Sequence, residues 1–329
     1  MAIPASIANQ LALPVIGSPL FIISNPDLVI AQCKAGIIGA FPSLNARPIE
    51  QLDEWLTRIN DELSAARRAD PAAKIAPFAV NLIVHKSNVR IEQDLALCVK
   101  HMVPIVITSL GARPEVNEAV HSYGGIVLHD IINIVFAHKA LEKGADGLIA
   151  VCAGAGGHAG TLSPFALISE IREFFDGPLA LSGAISTGRQ ILAAQAMGAD
   201  FAYMGSAFIA THEARAPENY KDMIVASAAK DIVYSSLFTG VHGNYLSPSI
   251  AGAGMDPNNL PEGDKATMSF QSGEGSKAKA WKDVWGAGQG VGAIKARTSA
   301  ADYIARLKRE YAEAKAELAA SAAKFSAVG

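Results

Sequence analysis

Cysteine is scarce in this chain of 329 residues, charged residues make up only 18%, and long apolar runs are missing. Cys33, Cys98 and Cys152 stand far apart with no second thiol at C-x-x-C spacing, which excludes a disulfide framework or a zinc site and fits a reducing cytoplasm. A net charge of -3, with no run of Lys or Arg interleaved with aromatics, leaves no basic field. Neither nucleic acid nor an anionic membrane is therefore an expected partner. No stretch approaches ~18 uninterrupted apolar residues, and the segment up to Gly17 lacks a basic start, so neither a membrane span nor a signal peptide is expected. The motifs G-x-x-x-x-G-K-[ST], H-x-H, H-E-x-x-H and G-x-S-x-G are all absent, and no paired carboxylates stand at glycosidase-like positions. Nucleotide phosphate transfer, metal-assisted hydrolysis and serine acyl transfer thereby lose their support.

What is present is a globular composition, half hydrophobic, with 29 Gly and 16 Pro to punctuate many short elements. Over residues 1–210, apolar, β-rich runs alternate with amphipathic segments. The runs are 15–19, 37–42, 75–83, 104–110, 125–129, 147–152, 179–185 and 201–208; helical patterns occupy 26–34, 49–67, 91–101, 114–123, 134–143, 164–175 and 189–197. Continuous rather than alternating apolar runs are those of strands covered on both faces. The reading is α/β: a (β/α)8 barrel, the alternative being an open doubly wound sheet if one strand is miscounted. From Thr211 the rhythm breaks into Gly-, Ser-, Pro- and Asn-rich sequence, read as an inserted domain or lid over 211–298. A final helical segment, 299–329, carries an apolar stripe at Ala301, Ile304, Leu307, Tyr311, Ala314 and Leu318 and is expected to pack across the barrel.

The most informative stretch is Cys152-Ala-Gly-Ala-Gly-Gly-His158-Ala-Gly160, directly after the sixth strand run. In a barrel this is the face where active sites are built. Four glycines let backbone approach a planar ligand closely, and His158 could move a proton near neutral pH; a flexible loop with a surface histidine is the plainer reading. The same letters satisfy Gly154-x-Gly156-x-x-Ala159, a dinucleotide fingerprint, but no helix opens at once behind it. Gly183 with Ala184, and Gly205 with Ser206, end the seventh and eighth runs, where barrels often bind phosphate on backbone N–H groups; tight packing turns are the alternative. Asn81 ends the third run and Pro19-Leu20 the first, each able to face a ring with donor and acceptor edges. His242, Asn244, Tyr245, Trp281, Trp285 and Gln289 are candidates to line a substrate lid, or simply pack the insertion.

Taken together the motifs resemble the nitronate monooxygenase family, formerly 2-nitropropane dioxygenases, with its flavin-dependent quinone- and enoyl-reductase relatives. The resemblance rests on Pro14-Val-Ile-Gly-Ser-Pro19, Phe78-Ala-Val-Asn-Leu82, the Gly-Gly-His-x-Gly stretch at 156–160, Ser182-Gly-Ala-Ile185, Met204-Gly-Ser206 and Trp285-Gly-Ala-Gly-Gln-Gly-Val-Gly292. It implies a barrel with one non-covalent FMN at its mouth. Pro19, Leu20 and Asn81 would face the isoalloxazine and Gly156 and Gly157 would lie along it. Ser182, Gly183 and Ala184 with Met204, Gly205 and Ser206 would surround the phosphate. His158 would be the catalytic base toward a nitroalkane, and alkyl nitronates would be oxidised by O2 to a carbonyl compound and nitrite.

Four positions depart from that pattern. Val151 and Gly154 replace the usual Gln and Glu, Ala184 replaces a glycine, and Asp130 stands where a Lys often follows the fifth-strand histidine. An acid in place of that cation would disfavour the reduced, anionic flavin. The alternatives are an NAD(P)H-dependent quinone or enoyl-thioester reductase on the same scaffold, and a flavin-free barrel for a phosphorylated metabolite. Class frequencies suggest a homodimer.

Overall fold

The computed structural model describes residues 4–263 and 283–324; Trp281 and the end of the last predicted helix lie outside the described residues. After a short helix α1 (Ala5–Ala8), β1 (Val15–Gly17), α2 (Pro26–Lys34), β2 (Gly39–Pro42), α3 (Glu50–Ala69), β3 (Phe78–Ile83), α4 (Ile91–Lys100) and β4 (Ile105–Ser109) follow in strict alternation. Then come α5 (Pro114–His121), β5 (Ile126–Ile131), α6 (Ile134–Glu142), β6 (Gly147–Val151), a two-residue strand β7 (Gly157–His158), α7 (Pro164–Arg172), β8 (Leu179–Ser182), α8 (Gly188–Ala196) and β9 (Phe201–Met204). Eight of these strands form one parallel sheet in the order β1-β9-β8-β6-β5-β4-β3-β2. A bridge between Ile16 and Ile38 joins its two ends into a ring, so the sheet is a (β/α)8-type barrel rather than an open sheet.

The barrel strands fall inside the eight expected runs, with two corrections. The fifth extends past His129 to Ile131, and the eighth stops at Met204, after which Ser206–Ile209 turn into a short helix, α9. Each strand sends side chains inward: Ile16, Ala40, Ala79, Ile107, Leu128, Ile149, Ala180 and Tyr203 form the inner core, closed at one end by Ile7 of α1. Period-two alternation turns the neighbouring residues outward against the helices, which is why both faces read as apolar.

Beyond α9 come α10 (Glu218–Ala226), the hairpin β10 (Ile232–Ser235) and β11 (Gly243–Leu246), α11 (Ser247–Gly252) and, last, α12 (Ala300–Ala322). The hairpin pairs antiparallel with β7, giving a three-stranded sheet β10-β11-β7 over the barrel mouth. The last helix packs on the barrel from outside, beside α8 and α2, where it fills the outer ring. Contact with α8 is at backbone distance, since a Cβ on Gly188 would lie 2.2 Å from the Tyr311 nitrogen. Glu310 caps α8 by accepting from the Gly188 N–H at 2.8 Å, and the Tyr303 hydroxyl donates to the Ser186 carbonyl at 2.7 Å. Of the expected stripe, Ile304, Leu307 and Ala314 are buried, whereas Ala301 and Leu318 face solvent. No helix among the described residues is long and apolar enough to cross a membrane.

Candidate active site

A cavity of about 1660 Å³ opens at the C-terminal ends of the barrel strands. That exceeds the roughly 300–1,000 Å³ of an ordinary ligand pocket, so a ring cofactor and a substrate can share it. Its wall contains Pro19 and Leu20 after β1, Asn81 at β3, Gly156, Gly157 and His158 after β6, Ser182, Gly183 and Ala184 after β8, and Gly205 and Ser206 after β9. The sequence-derived candidates thus converge from five strand ends, with five exceptions among the described residues. Met204 is fully buried among Val15, Leu28 and Phe208, and reaches the site only through its carbonyl, which accepts from Ser18 N–H at 2.8 Å.

The other four exceptions correct the proposed substrate lid. Asn244, Tyr245, Trp285 and Gln289 do not line the cavity, whereas His242 does. Asn244 is buried and donates to the Ala155 carbonyl at 2.7 Å, fixing the glycine loop from behind. Tyr245 packs its ring edge-on against Phe238, and Trp285 stacks on Tyr220 with ring centroids 4.7 Å apart. Apolar bodies with polar tips serve here as packing, the plainer of the two readings.

Two glycine-rich segments distant in sequence interlock to form one wall. A Cβ on Gly156 would lie 2.7 Å from the Gly288 nitrogen, and one on Gly288 would lie 2.6 Å from the Gly154 carbonyl. Such approach is open only to glycine. The junction is held by Gln289 N–H donating to the Gly154 carbonyl at 2.9 Å and Gly288 N–H donating to the Ser206 hydroxyl at 2.8 Å. The Ser206 O–H proton is not used in that bond. Ala184, the departure from the glycine pattern, nevertheless adopts φ +54, the left-handed conformation.

His158 sits in β7, its backbone paired with Gly243 of β11. Its Nε2 lies 2.8 Å from the Thr239 hydroxyl oxygen. Thr239 donates its own proton to the Val241 carbonyl at 3.0 Å, so toward His158 it accepts. That fixes the tautomer with the proton on Nε2 and the basic lone pair on Nδ1. Burial pushes the imidazole down to about 4, so His158 is neutral at pH 7.

The polar group opposite was only partly legible. Asn81 donates to the Ser109 hydroxyl at 2.7 Å and to the Ile107 carbonyl at 3.1 Å, and Ser109 donates to Asp130 Oδ2 at 2.5 Å. Ser109 and Asp130 both line the cavity. Burial, opposed by the Ser109 hydrogen bond, pushes the Asp130 carboxyl up to about 6. Ser109, Tyr203 and Thr239 went unread; the signal for Ser109 was the one that gave Asn81, a polar residue ending an apolar strand run. His129 also lines the cavity, bonded through Nδ1 to the Thr108 hydroxyl at 2.6 Å, and burial pushes it to about 4. Among the described residues, no three His, Cys, Asp or Glu side chains are grouped to hold a metal.

The family model described as nitronate monooxygenase matches residues 6–310. The chain belongs to the nitronate monooxygenase family. Among curated relatives, a nitronate monooxygenase of Paraburkholderia phytofirmans is 25% identical over 90% of this chain and 92% of its own. A (3aS,4S,5R,7aS)-5-hydroxy-7a-methyl-1-oxo-octahydro-1H-indene-4-carboxyl-CoA dehydrogenase of Rhodococcus jostii is also 25% identical, over 72% of this chain and 63% of its own. Among solved structures, a nitroalkane oxidase from Streptomyces ansochromogenes superposes with a TM-score of 0.77 at 23% identity, covering 95% of this chain and 100% of that one. The fold is therefore that of the family, and the His158 loop and the loops after β8 and β9 lie at the mouth of its barrel.

Proposed function

We propose that this family member is an FMN-dependent nitronate monooxygenase that oxidises alkyl nitronates with O2 to a carbonyl compound and nitrite. The observation that carries the reading is His158, neutral, fixed in one tautomer and held on the wall of a cavity large enough for a flavin and a small substrate.

The residues present fit FMN. The interlocked glycines leave a wall free of side chains, beside which a planar ring can lie. Gly183, Ala184, Gly205 and Ser206 would hold the phosphate with backbone N–H groups and the Ser206 O–H, while Pro19, Leu20 and Asn81 would face the ring. Bound FMN supplies the electron acceptor and the reaction with O2; the protein supplies orientation and proton transfer. Toward a neutral nitroalkane, His158 Nδ1 takes the proton from the carbon bearing the nitro group, leaving the nitronate. Thr239, by accepting the Nε2 proton, keeps the imidazole in the tautomer able to do so and stabilises the imidazolium that forms.

Two experiments test this. The purified protein should be yellow and should bleach anaerobically with ethylnitronate; bleaching by NADH alone would instead make it a reductase, the second reading, which the size of the cavity and the dehydrogenase relative favour. His158→Asn should keep FMN but lose turnover of neutral nitroalkanes far more than of pre-formed nitronates, and equal loss on both would sink the base role.

A further inference from the structure

The carboxyl at Asp130 has no use in the mechanism above, and its surroundings give it one. It lies on β5 between β4 and β6, facing the barrel interior at the open end, and lines the cavity. Oδ2 is committed to Ser109, whose proton is directed to it by Asn81 donating from behind. Oδ1 is enclosed yet has no hydrogen-bond partner among the described residues. An enclosed carboxylate oxygen left unpaired is costly, so a donor in the cavity would be bound there. Among the described residues no cation is paired with it, although Lys139 and Lys143 line the same cavity. Ser109 faces it from β4, β6 offers only apolar side chains and glycine, and from across the barrel Tyr203 of β9 is held neutral by burial and by the Asp130 charge, its hydroxyl engaged with Ser18. The preceding residue on β5, His129, turns to the other face of the strand, toward Thr108 and Lys143, and lines the cavity from there.

We propose that Asp130 anchors an N–H donor edge of the ring that fills this cavity, and so selects a flavin by its imide hydrogen. The inference rests on the flavin reading, since an isoalloxazine presents one N–H between two carbonyl oxygens. The ionised carboxylate accepts that hydrogen on Oδ1. The protonated form carries its proton on the same oxygen, because Ser109 occupies Oδ2, and there it meets the ring hydrogen head-on. Binding is therefore tightest where Asp130 is ionised, and the burial that raises this group toward neutrality places the change within an accessible pH range.

The test is the affinity of the flavin-depleted full chain for FMN and for FMN methylated at the imide nitrogen, at pH 7.5 and pH 5. A bound donor that lowers the Asp130 titration by one unit weakens FMN binding about fivefold at pH 5. Asp130→Asn should abolish that difference, with the FMN phosphate contributing equally to both proteins. Ser109→Ala, which removes the bond favouring the charged form, should move the change to higher pH. The wild-type protein should discriminate against the methylated ring at least about tenfold more than Asp130→Asn does, the isosteric variant keeping the same bulk. If both proteins bind the two flavins with the same ratio and the same pH dependence, the anchor is wrong and the flavin reading stands. If wild-type protein takes up no FMN at either pH, the flavin reading fails and the anchor with it.

Discussion

The protonation state assigned to His158 can be tested without any substrate, through stability. Its folded value of about 4 lies below the ~6.5 of an unfolded histidine, so between the two the unfolded chain binds a proton that the folded chain refuses. The contribution is fully present above pH 6.5 and is lost as pH falls toward 4. At pH 5 the lost stability comes to about 2 kcal/mol for His158, and about the same for His129, whose value is also about 4. Asp130 works in the opposite sense: raised to about 6 in the fold, it gains a proton there first and returns about 1 kcal/mol at pH 5. Two histidines outweigh one carboxyl, and the protein should be about 3 kcal/mol less stable at pH 5 than at pH 7.5. The assay is urea unfolding at both values, comparing midpoints at constant slope. His158→Gln, which can still donate to Thr239 but cannot titrate, should shrink that difference by about 2 kcal/mol. If the variant loses as much stability as the wild type between the two pH values, His158 is charged in the fold at pH 5 and the neutral-base argument falls with it.

Three further outcomes follow from packing. Gly288→Ala drives a Cβ to 2.6 Å from the Gly154 carbonyl and 2.9 Å from the Gly156 nitrogen, both backbone atoms, so it should cost about 1–3 kcal/mol and lower the flavin content of the purified protein, read by thermal melt and visible spectrum. Ala184→Gly relieves the left-handed φ of +54 and should stabilise by at most about 1 kcal/mol after the entropy of glycine is counted; a lower urea midpoint would contradict the strain. Leu307→Ala, fully buried against α8, should cost about 2–5 kcal/mol, whereas Leu318→Ala, 51% exposed, should stay within about 0.5 kcal/mol; equal effects would refute the placement of α12.

The barrel was legible because its signals are local. Each strand is a short apolar run between a helix stop and a glycine- or proline-rich turn, and caps such as Asn25 on α2 and Thr187 on α8 lie within three residues of the N–H groups they accept from. His158 and the glycines were legible for the same reason, since a histidine among four glycines at a strand end is unusual in one window of sequence. What escaped is what depends on distant partners. Ser109 becomes a site residue only because Asn81 donates to it across one strand and Asp130 accepts from it across another. Thr239 sits in a stretch with no periodicity at all, and only the fold brings its hydroxyl to His158. Trp285 and Tyr245 misled because composition cannot tell an aromatic that faces a cavity from one that packs beneath it.

The stretch from Thr211 onward holds the most consequential of these distant contacts. Its sequence has the small and polar residues of a mobile cover, yet its pieces form the back of the site. Gly243 pairs with His158 in a sheet, Asn244 ties down the Ala155 carbonyl, and the 286–290 backbone meets the 154–157 backbone with no side chain between. Glycine there permits close approach rather than motion, for Gly156 and Gly288 each have backbone where a side chain would stand. His158 and the wall beside it are thereby fixed by three segments far apart in the chain. A loop held at the barrel alone would leave His158 without Thr239, and with no acceptor for Nε2–H the ring would lose the tautomer on which the proposed proton transfer depends.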